Sequence, residues 1–227
     1  MCIAIFLGQI ENLVVPQRGD IVRAVDTAIA RTWTQGVQKK GVYEGEGWEW
    51  KLSGRPWYGR GDEGTHSRRL VAGILYELCV RGWHLLVSAG LTKKEWDKDT
   101  LMFKAGPPVQ RYIFPLSFHE SDKIRIIDSP NLQVTQAIVQ AIQNSWVLGI
   151  QQQKQRCTHS YQIKLRGQPW YTSDGLMINQ ARKLMMGILK ALDAHGFELL
   201  ASVDMNIGPG GDSHITDIDT WFFANKL

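Results

Sequence analysis

The chain has 227 residues, 44% of them hydrophobic and 21% charged, and a formal net charge of +4. That length suits one or two domains with a packed core, and the charge content is ordinary for a soluble globular chain. No run approaches the roughly 18 apolar residues that a membrane span needs, which excludes a helical integral membrane protein.

The opening MCIAIFLG is apolar but lacks a basic n-region and a small-residue cleavage site, so it reads as a first strand rather than a signal peptide. Leu13 to Val15 reads as a second strand beyond a turn. Gly19-Asp20 opens a helix that runs to about Trp33, because Ile21, Val25, Ala28, Ile29 and Trp33 recur at helical spacing. Trp48, Trp50 and Leu52 alternate with Glu49 and Lys51, the period of a half-buried strand. Gly54 and Pro56 end it, and Trp57 follows. The next helix has the clearest apolar face: Leu70, Val71, Ile74, Leu75 and Leu78, with Gly82 suited to its left-handed cap. A strand over HLLVSA, a loop and a last strand over DTLMFK complete the first half.

The second half repeats this order. KLSGRPWY at Lys51–Tyr58 returns 113 residues on as KLRGQPWY at Lys164–Tyr171, and Trp33 and Gly36 return as Trp146 and Gly149. At an offset of 114, Arg68 meets Arg182, Leu70 meets Leu184, Gly73 meets Gly187, Gly82 meets Gly196 and Ser88 meets Ser202. Asp99-Thr100 meets Asp219-Thr220 after a longer insertion. The matching helix over Val134, Ile138, Ala141, Ile142 and Trp146 is expected to start with Ser129 as cap and Pro130 as first helical residue. Strands at Tyr161–Leu165, ELLASV and DTWFFA fall in the same places, as does a helix whose face carries Leu184, Met185, Ile188, Leu189 and Leu192. Two long copies are too few for a solenoid. The predicted fold class is α+β: two tandem β-α-β-α-β-β repeats, residues 1–108 and 109–227, with helices packed on largely antiparallel sheets and a pseudo-twofold between them. Gly73 and Gly187 inside helices cost about 1 kcal/mol each against alanine, which points to close helix contact there.

Little in the chain advertises chemistry. Cys2, Cys79 and Cys157 form no CxxC pair and occupy no equivalent positions, so neither a structural disulfide nor a zinc site is expected, and a reducing, cytoplasmic setting is. The histidines, His66, His84, His119, His159, His195 and His214, show no ligand spacing, and no GxSxG elbow is present. GRGDEG at Gly59–Gly64 matches the dinucleotide fingerprint. Its acidic residues would oppose a pyrophosphate, however, and its counterpart TSDGLMIN lacks the pattern. The Arg-Gly-Asp tripeptides at Arg18 and Arg60 read as chance. Of the polar residues shared by the halves, Arg68 and Arg182 stand at helix starts, unfavourable for a cation without an anionic partner. The expected partners are Asp99 and Asp219, locking helix to terminal strand.

Residues 1–113 hold 16 basic and 12 acidic side chains, the remainder 10 and 10, so the basic excess belongs to the first half. Nine tryptophans is a high count. Trp33/Trp146 and Trp57/Trp170 read as core, whereas Trp48, Trp50, Trp96 and Trp221 vary between halves and those on exposed faces suit partner anchoring. A duplicated unit with no duplicated acid–base or nucleophile set fits a non-enzymatic binding or scaffold protein, without cofactor or metal, that engages a protein or a small acidic ligand. The predicted ligand-binding set is Arg55, Trp57, Arg60, Arg68, Arg69, Trp170 and Arg182. An alternative is an anion-binding module for phosphoinositide or nucleic acid through the basic first half, recognised by steep salt dependence. A third is an enzyme with its site between the halves.

Overall fold

The computed structural model describes residues 1–7, 11–58, 62–91, 98–205 and 219–227. Arg60 and the first three residues of GRGDEG, as well as Trp96 and His214, lie outside the described residues.

The first unit runs β1 (Cys2–Leu7), β2 (Asn12–Pro16), α1 (Gly19–Thr32), β3 (Val37–Tyr43), β4 (Gly47–Leu52), a 3-10 turn at Pro56–Tyr58, α2 (Glu63–Val80), β5 (Trp83–Ala89) and β6 (Thr100–Ala105). The second runs β7 (Ile113–His119), β8 (Lys123–Ile127), α3 (Leu132–Ser145), β9 (Ile150–Cys157), β10 (Ser160–Leu165), α4 (Gly175–Ala194), β11 (Phe197–Val203) and β12 (Thr220–Asn225). Each makes a six-stranded antiparallel sheet, in the orders β3-β4-β2-β1-β6-β5 and β9-β10-β8-β7-β12-β11. The duplicated α+β architecture is therefore present, with each unit written β-β-α-β-β-α-β-β.

The added strands have a physical explanation. β3 and β9 read VQKKGVY and IQQQKQRC, are exposed along most of their length, and lie at sheet edges. They carry almost no period-two apolar signal, because an edge strand is held by the backbone ladder to its neighbour and needs no buried face. β7 and β8 are the counterparts of β1 and β2.

In both units the two helices lie against one another and cover one face of their sheet. At Gly73 a methyl group would stand 3.1 Å from Thr32 Cγ2, and at Gly187 it would collide with Ser145 Oγ. The helix pairs thus meet where the glycines leave no side chain. Trp33 and Trp146 are both 2% exposed, and their indole nitrogens donate to equivalent carbonyls, Ser53 O at 3.0 Å and Arg166 O at 2.9 Å. The α3 cap differs from expectation. Asn131 takes the position, its Oδ1 accepting from Val134 N at 2.9 Å, while the Ser129 hydroxyl bonds Asn131 O. Asn caps as well as Ser, and standing one residue before the helix it has the better geometry.

The units stack. The edge strands β5 and β11, equivalent in the repeat, approach one another, but the helical contact is not reciprocal. α2 lies between its own sheet and the second one, and the apolar core beneath it draws Ile113, Ala201, Val203, Phe222 and Ala224 from the second unit. A separate core, including Phe114, Leu116, Phe118 and Phe223, fills the other face of the second sheet under α3 and α4. Burial differs accordingly: β7 is buried at every residue, whereas β1 alternates between exposed and buried.

Candidate functional site

The positions of the predicted polar set follow from this stacking. Arg68 is 1% exposed; its Nε donates to Thr220 Oγ1 of the other unit at 3.0 Å and its Nη1 to Gly64 O at 2.9 Å. Arg182 is exposed and donates to Asn179 Oδ1 on its own helix. The two aspartates instead accept from the repeated serines: Ser88 Oγ to Asp99 Oδ2 at 2.7 Å, Ser202 Oγ to Asp219 Oδ2 at 2.9 Å. The expected arginine–aspartate lock is thus corrected. A serine two strand positions away reaches the carboxylate more directly than an arginine committed to the neighbouring unit.

The remaining members of the ligand set are scattered. Arg55 is exposed, and Trp57 is a core residue, 1% exposed, donating to Asn12 O at 2.8 Å. Trp170 is half-buried edge-on to Phe118, 5.2 Å between ring centres. Of the seven, Arg69 is the one among the described residues that lines a large opening.

That opening is a cleft of about 1590 Å3 built by both units. Arg31 of α1 and Arg69 and Tyr76 of α2 stand on one side; Tyr112, Asp128 and His159 stand on the other. Glutamines of α3 (Gln133, Gln136, Gln140) and β9 (Gln153, Gln155) continue the lining. The charged side chains in it are Arg31, Arg69 and Asp128, with His159 and His195 adding positive charge when protonated. Ser160 belongs to the same wall, and its hydroxyl is buried without a hydrogen-bond partner among the described residues.

At the mouth of α2 the two units meet in a tight polar cluster. β8 and β10 pair so that Ile127 lies opposite Ser160, and Asp128 N bonds His159 O at 2.9 Å, which sets the two side chains next to each other. Asp128 has a left-handed backbone, φ +46°, a conformation aspartate tolerates better than most residues. Its Oδ1 lies 2.7 Å from His159 Nδ1 and its Oδ2 accepts from Arg69 Nε at 2.6 Å. Tyr112 hydroxyl donates to Asp128 O at 2.8 Å. His66 stands behind Arg69, its ring edge-on to His159 at 6.4 Å between centres. Burial, reinforced by the charges of Arg69 and His159, depresses the His66 pKa; burial followed by Asp128 raises that of Tyr112. Nearby, Arg156 spans the units to Asp62 at 3.2 Å, occupying an acidic residue of the glycine-rich segment.

Repeat comparison misses these residues for a definite reason. At the same offsets His66 and Arg69 become Gln180 and Lys183, on a helix that no second sheet covers. A site made where unlike faces of two copies meet is not duplicated, so residues shared by the halves cannot reveal it. The pairing of an aspartate and a histidine at adjacent strand ends was the available signal.

Fold and cleft together define a class: a tandem α+β protein whose like units stack, with one helix, α2, between two sheets and an open site along the junction. One domain-family model matches the chain twice, over residues 11–104 and 113–224. These spans cover most of the chain, which therefore belongs to that family and carries two copies of its domain. No curated protein and no solved structure matches it. Among the described residues no helix is long and apolar enough to cross a membrane, and no three His, Cys, Asp or Glu side chains gather as metal ligands would.

Proposed function

We propose that the protein is a cytoplasmic binding protein whose ligand, a small anionic molecule rich in hydrogen-bonding groups, occupies the cleft between the units. The observation that carries this reading is the composition of the cleft wall: two arginines against one carboxylate, two histidines and a row of glutamine amides. Such a lining sets many hydrogen-bonding groups among apolar side chains such as Ile113, Ile126, Leu132 and Val139, and it lies where pockets preferentially form, between packed domains. Arg69 lines the cleft, held by Asp128 in a fixed orientation, and an oriented guanidinium recognises carboxylate or phosphate in two-point fashion.

Thermal-shift and calorimetric titration with a panel of small di- and tricarboxylates and phosphomonoesters tests it. A binder is expected whose affinity drops at least about tenfold, some 1.4 kcal/mol, in Arg69→Ala, is unchanged in Arg182→Ala, and weakens with salt. A panel without binders, or binding indifferent to Arg69, sinks the reading.

A second reading rests on the Asp128–His159 pair. A carboxylate on Nδ1 fixes that nitrogen as the protonated one and leaves Nε2 as the acceptor, the arrangement of a general base. Turnover of esters, amides or phosphoesters that disappears in both His159→Ala and Asp128→Asn would favour it over simple binding.

A further inference from the structure

We propose that the molecule binds a second copy of itself head to tail: α4 of one chain docks on the outer face of the first sheet of another, repeating between chains the packing that α2 makes on the second sheet within one chain. The internal contact uses a single helical stripe of α2, Thr65, Arg68, Ala72, Leu75 and Cys79, every member buried. The same stripe on α4 is Asn179, Arg182, Met186, Leu189 and Asp193. It is open: Met186 is 65% exposed, Leu189 is half-buried and the other three are exposed.

The receiving face shows the same contrast. On the second sheet Ile113, Pro115, Ala201 and Phe222 are buried on the α2 side. Their counterparts on the first sheet are Cys2, Ala4, Val87 and Met102, all apolar; the first three are exposed and Met102 is half-buried. β1 reads CIAIFL, apolar at every position, so its outward row of Cys2, Ala4 and Phe6 matches its inward row in character. A strand exposed on one face normally alternates; a strand apolar on both is built to be covered on both.

The covering surface is identified by continuity and by charge. The stack of sheet, helices, sheet and helices ends at one side on an open helix face and at the other on an open sheet face, the two kinds of surface that already fit each other at its middle. At the end of the contact, Cys79 and Ile113 share one small cavity, and Ile113 is paired with Ala224. The counterparts of Cys79 and Ala224 are Asp193 and Lys104, both exposed, so opposite charges replace two uncharged residues where the surfaces would meet. Asp193, 68% exposed at its side chain, has Lys226 as its present partner. Because the contact joins unlike faces, it does not close on itself after two copies, and the expected products are open chains or a ring.

Sedimentation velocity of the full chain over a wide concentration range is the test. The average mass is expected to rise with concentration. Met186→Glu and Ala4→Glu, each disabling one face, should remain monomeric alone, and an equimolar mixture of the two should give a dimer and nothing larger, since one intact face of each kind remains. Both positions are exposed in the monomer, and circular dichroism verifies the fold. As a second pair, Asp193→Lys and Lys104→Asp should each weaken assembly and restore it when mixed. A wild-type chain monomeric at all concentrations, either glutamate variant assembling alone, or a mixture that stays monomeric overturns the proposal.

Discussion

At the scale of single residues, equivalent positions carry unequal burdens. Gly82 and Gly196 both follow a helix with positive φ, +79° and +80°. A methyl group at Gly196 would meet nothing within 4 Å, whereas at Gly82 it would stand 2.5 Å from Gly106 O. Gly196→Ala should therefore cost about 1 kcal/mol, the left-handed penalty alone, and Gly82→Ala roughly 2–4 kcal/mol because backbone must also move. Urea denaturation of the two variants checks the ranking. His119 gives a pH dependence. It is buried beside Ser117 Oγ at 2.9 Å, and burial, together with Arg68, Arg125, Arg156 and Lys123, holds its pKa well below the ordinary imidazole value. The unfolded chain takes up this proton near pH 6.5, the folded chain resists it, so the unfolded state binds more protons and stability rises with pH across that range. His66 shifts in the same direction. The denaturation midpoint should fall as pH drops below about 6.5, and His119→Gln should flatten that slope.

At the scale of elements, α2 and α4 are the same helix in two surroundings. Their inward stripes, Leu70, Ile74 and Leu78 against Leu184, Ile188 and Leu192, are all fully buried. Their outward stripes differ because one helix has a sheet on its far side. Arg68→Ala should destabilise by about 3 kcal/mol, since it strips a buried polar network of a charged donor. Arg182→Ala should stay within about 0.5 kcal/mol, as exposed positions usually do. Equal losses at the two sites, in thermal or urea unfolding, would contradict the asymmetric stacking. The same contrast shows how far elements were legible from sequence. Stripes and alternations such as Trp50 with Leu52 located the helices and the half-buried strands, because burial of one face imposes a period. β3 and β9 escaped because Gln, Lys and Arg fill them and only backbone pairing holds them.

At the scale of the molecule, the units are separate copies but not separate folding bodies. The larger core contains residues of both, among them Leu75, Trp83, Ala201 and Phe222. Unfolding followed by tryptophan fluorescence and by far-UV circular dichroism should give one coincident transition. Two resolved transitions would show that the shared core does not couple the units. The cleft belongs to this scale too: Arg69, Asp128 and His159 approach only because α2 crosses the ends of β8 and β10. Of the predicted ligand set it takes Arg69, while Trp57 and Arg68 are absorbed into the interior and Arg182 stays at the surface.

The amino-acid sequence alone determined that this chain is one α+β unit written twice, since local periods, capping glycines and the repeated Pro-Trp turn depend on each unit's own core. Only the tertiary structure decided that the copies are stacked rather than equivalent, and with that which arginine is buried, which helix face is open and where the cleft lies. Contacts between unlike faces of two copies leave no repeated mark on either, because each face answers to a surface found elsewhere in the chain.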